Sequence, residues 1–211
     1  MRFVLAIFLL FSFTVSYSQG KWVTVVTQGT GYQSYKTFSE LEDMIAEVKE
    51  QTKKGNYVTD MEYGNGEWKL VVSEDKSSSA QAWVTNGVFP KQWLNTQKER
   101  KWNITKLSYG QFNWIAVARD QTSLKPQKFN VLNSWQGVVQ WLRDVWEENP
   151  RYNIEDIAYG NGQWGVLLNY VSADEHQIFT DSKEFPQAWI QQKFNDNYNI
   201  SSIESDGEKW Y

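Results

Sequence analysis

Few of the 211 residues are of kinds that make or break bonds: there is one histidine, His176, and no cysteine. His176 ends the polar run Ala173-Asp174-Glu175-His176. A hydrolytic imidazole needs a nucleophile on one side and an orienting carboxylate on the other. Asp174 is close in sequence but no nucleophile motif accompanies it, so His176 reads as an exposed loop residue. Without cysteine there is no disulfide framework, no thiolate zinc site and no thiol nucleophile, and no cofactor-binding motif is present. Carboxylates are more plentiful. Asp43, Glu47 and Glu50 fall on one expected helix and Glu147-Glu148 close another. Paired carboxylates can act as acid and base on a glycosidic bond, but these lie opposite apolar stripes and read as solvated helix faces.

Aromatic side chains are the outlying chemistry, at 16% of the chain with 12 Trp, 11 Tyr and 11 Phe. Their faces stack on sugar rings and anchor protein partners. Trp68, Trp114 and Trp164 recur with a fixed period and read as core. Tyr32, Trp83, Phe112, Trp141 and Tyr170 fall outside that period and are the candidate ligand contacts, Tyr32 and Tyr170 beside polar loops.

The period belongs to an internal repeat, the first thing to establish because it decides the architecture. Residues 58–72 (VTDMEYGNGEWKLVV), 104–118 (ITKLSYGQFNWIAVA) and 154–168 (IEDIAYGNGQWGVLL) superpose without a gap, and Trp22, Trp68, Trp114, Trp164 and Trp210 follow one another at 46, 46, 50 and 46 residues. Each copy opens with a β-branched residue, an apolar residue three later and then Tyr-Gly, as in Val58, Met61 and Tyr63-Gly64. Met61 and Tyr63 alternate onto one face of a strand. Gly-Asn-Gly at 64–66 and 160–162 offers the positive-φ residues of a tight reversal, so Trp68 and Trp164 open returning strands. A Gln-x-aromatic segment follows at Gln33, Gln81, Gln127 and Gln177 and predicts a third strand. A helix closes the unit: Pro90 and Pro186 stand where a first turn can lack an N–H. Ser39 and Glu42 form a capping-box pattern for the apolar positions Leu41, Met44, Ile45 and Val48, and the stripe from Trp135 to Trp146 stops before Pro150.

The repeat is β-β-β-α, with units of about 20–57, 58–103, 104–153 and 154–199 and a closing strand at 198–211, all within one domain from 19 to 211. One unit cannot bury both faces of its small sheet, so copies pack on one another. Lys21-Trp22 reads as an orphan second strand and Tyr198–Ile203 as an orphan first strand. Their pairing predicts a mainly β fold with helices, closed as a four-bladed, propeller-like ring. In such a ring the first strand of each blade lines the axis. Asp60, Lys106, Asp156 and Ser202 occupy equivalent positions there, with Glu62 and Glu204 two residues on. Such groups can hold water or a weakly bound cation; the plainer reading is a hydrated, ion-paired channel. Asn103-Ile-Thr and Asn199-Ile-Ser match a glycosylation sequon, at one repeat position that the strand pattern alone explains.

Residues 1–18 (MRFVLAIFLLFSFTVSYS) read as a secretory signal peptide cut before Gln19; the apolar run is too short for a spanning helix of roughly 20 residues. The mature chain is expected outside the cytoplasm, secreted or periplasmic, with no membrane span. A formal charge of −4 argues against nucleic acid as a partner.

Gly31-Tyr32-Gln33, Phe89-Pro90-x-x-Trp93, Asn103-Ile-Thr-Lys-Leu-Ser-Tyr-Gly and Tyr198-Asn-Ile-Ser-Ser-Ile resemble a tandem-repeat family of unknown function that also forms the C-terminal part of plant casein-kinase-1-like kinases. The resemblance covers nearly all of residues 20–210 and implies the repeat architecture, without catalytic or binding residues to carry over. A looser, architectural similarity is to hemopexin-like four-bladed propellers. The expected function is a secreted, non-catalytic interaction module for a protein or glycan. A glycan hydrolase with carboxylates from separate blades, or a fragment of a larger repeat protein, remain as alternatives.

Overall fold

The computed structural model describes residues 32–121, 123–171 and 177–211. The signal-peptide segment, the expected strand at Trp22 and the His176 loop lie outside the described residues.

The chain is mainly β with helices, in the order β1 (Gln33–Phe38), α1 (Leu41–Lys53), β2 (Asn56–Gly64), β3 (Glu67–Glu74), β4 (Gln81–Asn86), α2 (Lys91–Glu99), β5 (Asn103–Gly110), β6 (Asn113–Arg119), β7 (Gln127–Leu132), α3 (Trp135–Glu148), β8 (Tyr152–Gly160), β9 (Gln163–Tyr170) and α4 (Gln187–Asn195). The strands form three antiparallel sheets in the orders β1-β3-β2, β4-β6-β5 and β7-β9-β8. The hairpins form where Tyr-Gly and the following Trp were expected to reverse the chain. Tyr63 pairs with Trp68, Tyr109 with Trp114 and Tyr159 with Trp164 across each ladder, their rings 5.0, 5.2 and 4.8 Å apart.

The grouping of strands differs from the expected β-β-β-α unit. The Gln-x-aromatic strands β1, β4 and β7 each join the hairpin that follows, beyond the helix, so one sheet is built from strand, helix and hairpin, and the units of the structure run over 33–74, 81–119, 127–170 and 177–211. The helix makes this possible. It carries the chain across the sheet and back, so the strand before it runs antiparallel to the central hairpin strand.

Every first hairpin strand carries a bulge at the same place, at Thr59, Thr105 and Glu155. Plain alternation would put Val58 and Met61 on opposite faces. The extra residue restores both to the core, so Val58, Met61 and Tyr63 face α1 while Asp60 and Glu62 face the other way. The apolar spacing of three and then two is therefore the signature of a bulged strand.

Each of the first three units has its own apolar cluster. Leu41, Met44 and Val48 of α1 meet Val58, Met61, Trp68 and Leu70, and this cluster also takes in Ile115 and Val117 from the next sheet. Central strands β6 and β9 are consequently buried on both faces, whereas β3 is buried on one. The expected Ser39 cap on α1 is not formed. Instead Gln111, in the next unit's turn, accepts from Leu41 N at 2.9 Å. Ser134 does cap α3, accepting from Gly137 N at 3.1 Å.

The fourth unit repeats the plan with less strand. Ser182 and Ser205 both bridge to Trp210, the register in which Phe38 and Tyr63 meet Trp68. No closed sheet joins the units among the described residues.

Candidate functional site

The bulges turn the polar positions of β2, β5 and β8 toward one another, because these three strands lie side by side. Lys106 Nζ sits 2.9 Å from Asp60, 2.8 Å from Glu62 and 3.0 Å from Asp156. Asp156 is buried and also accepts from Leu107 N at 2.6 Å. Glu62 receives Ser108 Oγ at 3.3 Å, and Glu204 of the fourth unit receives Tyr159 N at 3.2 Å. Three of the four axial candidates, Asp60, Lys106 and Asp156, thus come together. Ser202 does not join them; it lines a cavity in the fourth unit, and Glu204 is the residue that unit turns toward the cluster.

Four carboxyls and one ammonium share this region, and three of the carboxyls, Glu62, Asp156 and Glu204, are raised above their ordinary range, chiefly by burial. Burial pushes Glu62 up to about 7, reinforced by Asp156 and Asp60 and opposed by Lys106. Burial and the neighbouring Glu62 raise Glu204 well above its ordinary range, and burial raises Asp156 against the pull of Lys106. Burial alone would lower Lys106, but the surrounding carboxylates hold its ammonium well above the ordinary lysine range. Lys106 itself supplies the cation here, and the cluster is an internal ion-pair network able to retain protons near neutral pH.

The five aromatic candidates do not converge. Trp83 packs against the first core and Trp141 against the third. Tyr170 stacks edge-on with Tyr152 at 5.8 Å and accepts from Arg151 at 3.0 Å. Tyr32 is exposed, and its carbonyl accepts from Glu74 N at 3.0 Å. Both tyrosines lie at the strand ends opposite the hairpin turns.

Phe112 is alone at the turn end, 87% exposed. Where two other turns have Asn65-Gly66 and Asn161-Gly162, this one has Gln111-Phe112 with φ of 47° and 62°. Left-handed backbone is strained for a bulky side chain. Packing accounts for Gln111: its amide oxygen accepts from Leu41 N and, at 3.0 Å, from Trp68 Nε1, and its nitrogen donates to Ser39 O at 2.7 Å. Packing does not account for Phe112. Its ring stands at a shallow groove of about 530 Å³ shared with Glu40, Leu41, Glu42, Tyr63 and Tyr109. The sequence signal for this site is the replacement of Asn-Gly by Gln-Phe; no local pattern marks the contacts of Gln111, which reach 70 residues back along the chain.

The helix carboxylates make surface pairs, Glu47 with Lys36 at 2.7 Å, Glu50 with Lys53 at 2.6 Å and Glu148 with Lys128 at 2.6 Å. Of the two sequons, Asn103 is buried and its amide is engaged by Gln121 and Ser123, while Asn199 is exposed. Among the described residues no helix is long and apolar enough to cross a membrane.

Comparison with protein-family models, with curated proteins and with solved structures finds no match to this chain.

Proposed function

We propose that this chain is a secreted interaction module that binds a protein or glycan partner through its hairpin-turn face, with Phe112 as the anchor. The observation that carries the reading is an exposed aromatic held in strained backbone where a repeat-consistent Gly would cost less. Strain and exposed apolar surface of this kind are retained where contact with a partner repays them. The tyrosine rings and the carboxylates of Glu40 and Glu42 at the same groove suit a ligand with both an apolar face and hydrogen-bond donors. The axial carboxylates support binding over glycoside hydrolysis, because Lys106 spans them where a hydrolase leaves room for a sugar.

The architectural part of the proposal is that the four units surround one axis, in line with the resemblance to the tandem-repeat family and to four-bladed propellers. Its support is the approach of Glu62 from the first unit, Lys106 from the second, Asp156 from the third and Glu204 from the fourth.

The test is a glycan array and a panel of purified extracellular proteins probed with the mature chain and with Phe112→Ala. The variant should lose binding by about tenfold or more with an unchanged urea midpoint. Binding that survives the substitution would overturn the assignment.

A further inference from the structure

The fourth unit holds an apolar cavity of about 600 Å³, walled by Phe179, Trp189, Ile190, Ile200, Ile203 and Tyr211 among others. Its origin is visible in the other units. There the central strand continues past its Trp for several residues and fills its own unit's core, with Leu70 and Val72 in the first unit, Ala116 in the second, and Val166 and Leu168 in the third, while Ile115 and Val117 of β6 and Leu167 of β9 enter the core before. In the fourth unit the pairing starts in the same register. Trp210 exchanges hydrogen bonds with Ser182 at 2.7 and 2.9 Å, and Tyr211 with Glu204 at 2.9 and 3.2 Å. Past Tyr211 no described residue fills the slot between Gln177–Thr180 and Tyr198–Ile203.

We infer that residues Thr24-Val25-Val26-Thr27-Gln28 of this same chain occupy that slot as a β-strand, continuing the line of Trp210-Tyr211. The inference rests on the four-unit arrangement proposed above. The residues fit by position. Trp22-Val-Thr-Val-Val stands 46 residues before Trp68-Lys-Leu-Val-Val, so Val25 aligns with Val71, Val117 and Leu167, and Val26 with Val72, Ala118 and Leu168. By the register of the complete sheets, Thr24 would face Thr180 and Ile203, Val25 would face Phe179 and Ser202, and Val26 would face Ile178 and Ile200. Val26 then fills the cavity beside α4, and Val25 turns toward the third core beside Tyr211.

The link has a counterpart within the fold. Strand β3 ends at Glu74 and the next Gln strand begins at Gln81; Gln28 is followed by Gly29-Thr30-Gly31-Tyr32 before Gln33, a shorter link rich in glycine. A second feature agrees. Gln81, Gln127 and Gln177 each accept, through the side-chain amide, the backbone N–H lying 23 residues earlier, at Val58, Ile104 and Ile154. The repeat assigns Gln33 to Ile200, yet Gln33 is exposed and donates to Ser73 Oγ at 3.0 Å. Insertion of residues 24–28 beside Ile200 brings the following Gln33 toward that unmade contact.

The absence of native cysteine makes disulfide trapping clean. Val25 and Phe179 would form a non-hydrogen-bonded antiparallel pair, the geometry that admits a disulfide. In the mature full chain, Val25→Cys with Phe179→Cys should close an intramolecular bond at least about tenfold faster than Val25→Cys with Asp181→Cys, two residues out of register. Covalent dimers in place of the intramolecular bond would show that a second copy supplies the strand and would overturn the inference, as would equal rates for the two pairs. A double-mutant cycle of Glu62→Gln and Glu204→Gln on the urea midpoint reports separately on the arrangement of units. Coupling in that cycle without closure of the Val25 pair removes the strand and leaves the four-unit reading standing; failure of both removes each.

Discussion

Gln127 binds the backbone of Ile104 twice, accepting from its N–H at 2.8 Å and donating to its carbonyl at 2.7 Å. A side-chain amide here takes the place of a neighbouring strand residue and ties one sheet to the previous one. Gln177 does the same to Ile154 at 2.6 and 2.9 Å, and Gln81 accepts from Val58 N at 2.8 Å, which gives the recurring glutamine a shared role at these three positions.

Replacing Gln127 with Ala leaves the buried N–H and C=O of Ile104 without partners. At about 1–3 kcal/mol for each unsatisfied group, the variant should lose about 2–6 kcal/mol of unfolding free energy, measured by urea denaturation followed through tryptophan fluorescence. A loss under about 0.5 kcal/mol would mean that water replaces the amide without penalty.

The Tyr-Gly motif makes a second prediction. A Cβ on Gly160 would fall within the ring of Tyr109, and one on Gly110 would meet Tyr63 and Trp68. The glycine of one unit is thus the socket for the tyrosine of the unit before it. Gly160→Ala should destabilise by about 1–3 kcal/mol through overpacking, and pairing it with Tyr109→Ala should cost less than the sum of the two single changes, read from a double-mutant cycle of urea midpoints.

Stability should fall as pH rises through the weakly acidic range. Glu62 moves from an ordinary 4.5 to about 7 in the folded chain, so folding takes up protons between those values and the associated stabilisation is lost above them. Asp156 and Glu204, also raised, act in the same direction. Burial works to raise Asp75, Asp120 and Asp206 as well, but hydrogen bonds outweigh it and hold all three low; their contribution is lost only as pH drops below the ordinary aspartate range. Urea midpoints should therefore be higher at pH 5 than at pH 8, and Glu62→Gln should flatten the difference. A profile that Glu62→Gln leaves unchanged would place the titration elsewhere.

Lys106 is the only cation within the axial cluster's reach among the described ion pairs. Lys106→Met strands its carboxylates and should cost about 3–5 kcal/mol at pH 8, the magnitude typical of breaking a buried pair from one side. At pH 5 the carboxyls can take up protons, so the loss there should be smaller; an equal loss at both pH values would assign the effect to packing.

Much of this plan is local and was legible along the chain. Tyr63, Gly64 and Trp68 specify a hairpin because alternation and a positive-φ turn are properties of neighbouring residues, and the recurrence of the three with a fixed spacing identifies the repeat. The same spacing aligns Asp60, Lys106 and Asp156 at one repeat position. It did not give the partner of each Gln strand, since pairing before or after the helix leaves the linear pattern unchanged. Nor did it distinguish Trp83 and Trp141, which pack, from Phe112, which does not, because exposure depends on what the neighbouring unit covers.

By itself, then, the sequence determined what short-range geometry can encode: hairpins, helices, the repeat and the equivalence of Asp60, Lys106 and Asp156 within it. Tertiary structure alone decided how those pieces address one another. The bulges at Thr59, Thr105 and Glu155 aim the polar side chains inward, the long amide of Gln111 reaches a helix end and an indole in the preceding unit, and burial raises the titration of Glu62, Asp156 and Glu204. Each is a contact between residues far apart in the chain, where burial and charge act through space and the order of residues carries no direct record of them.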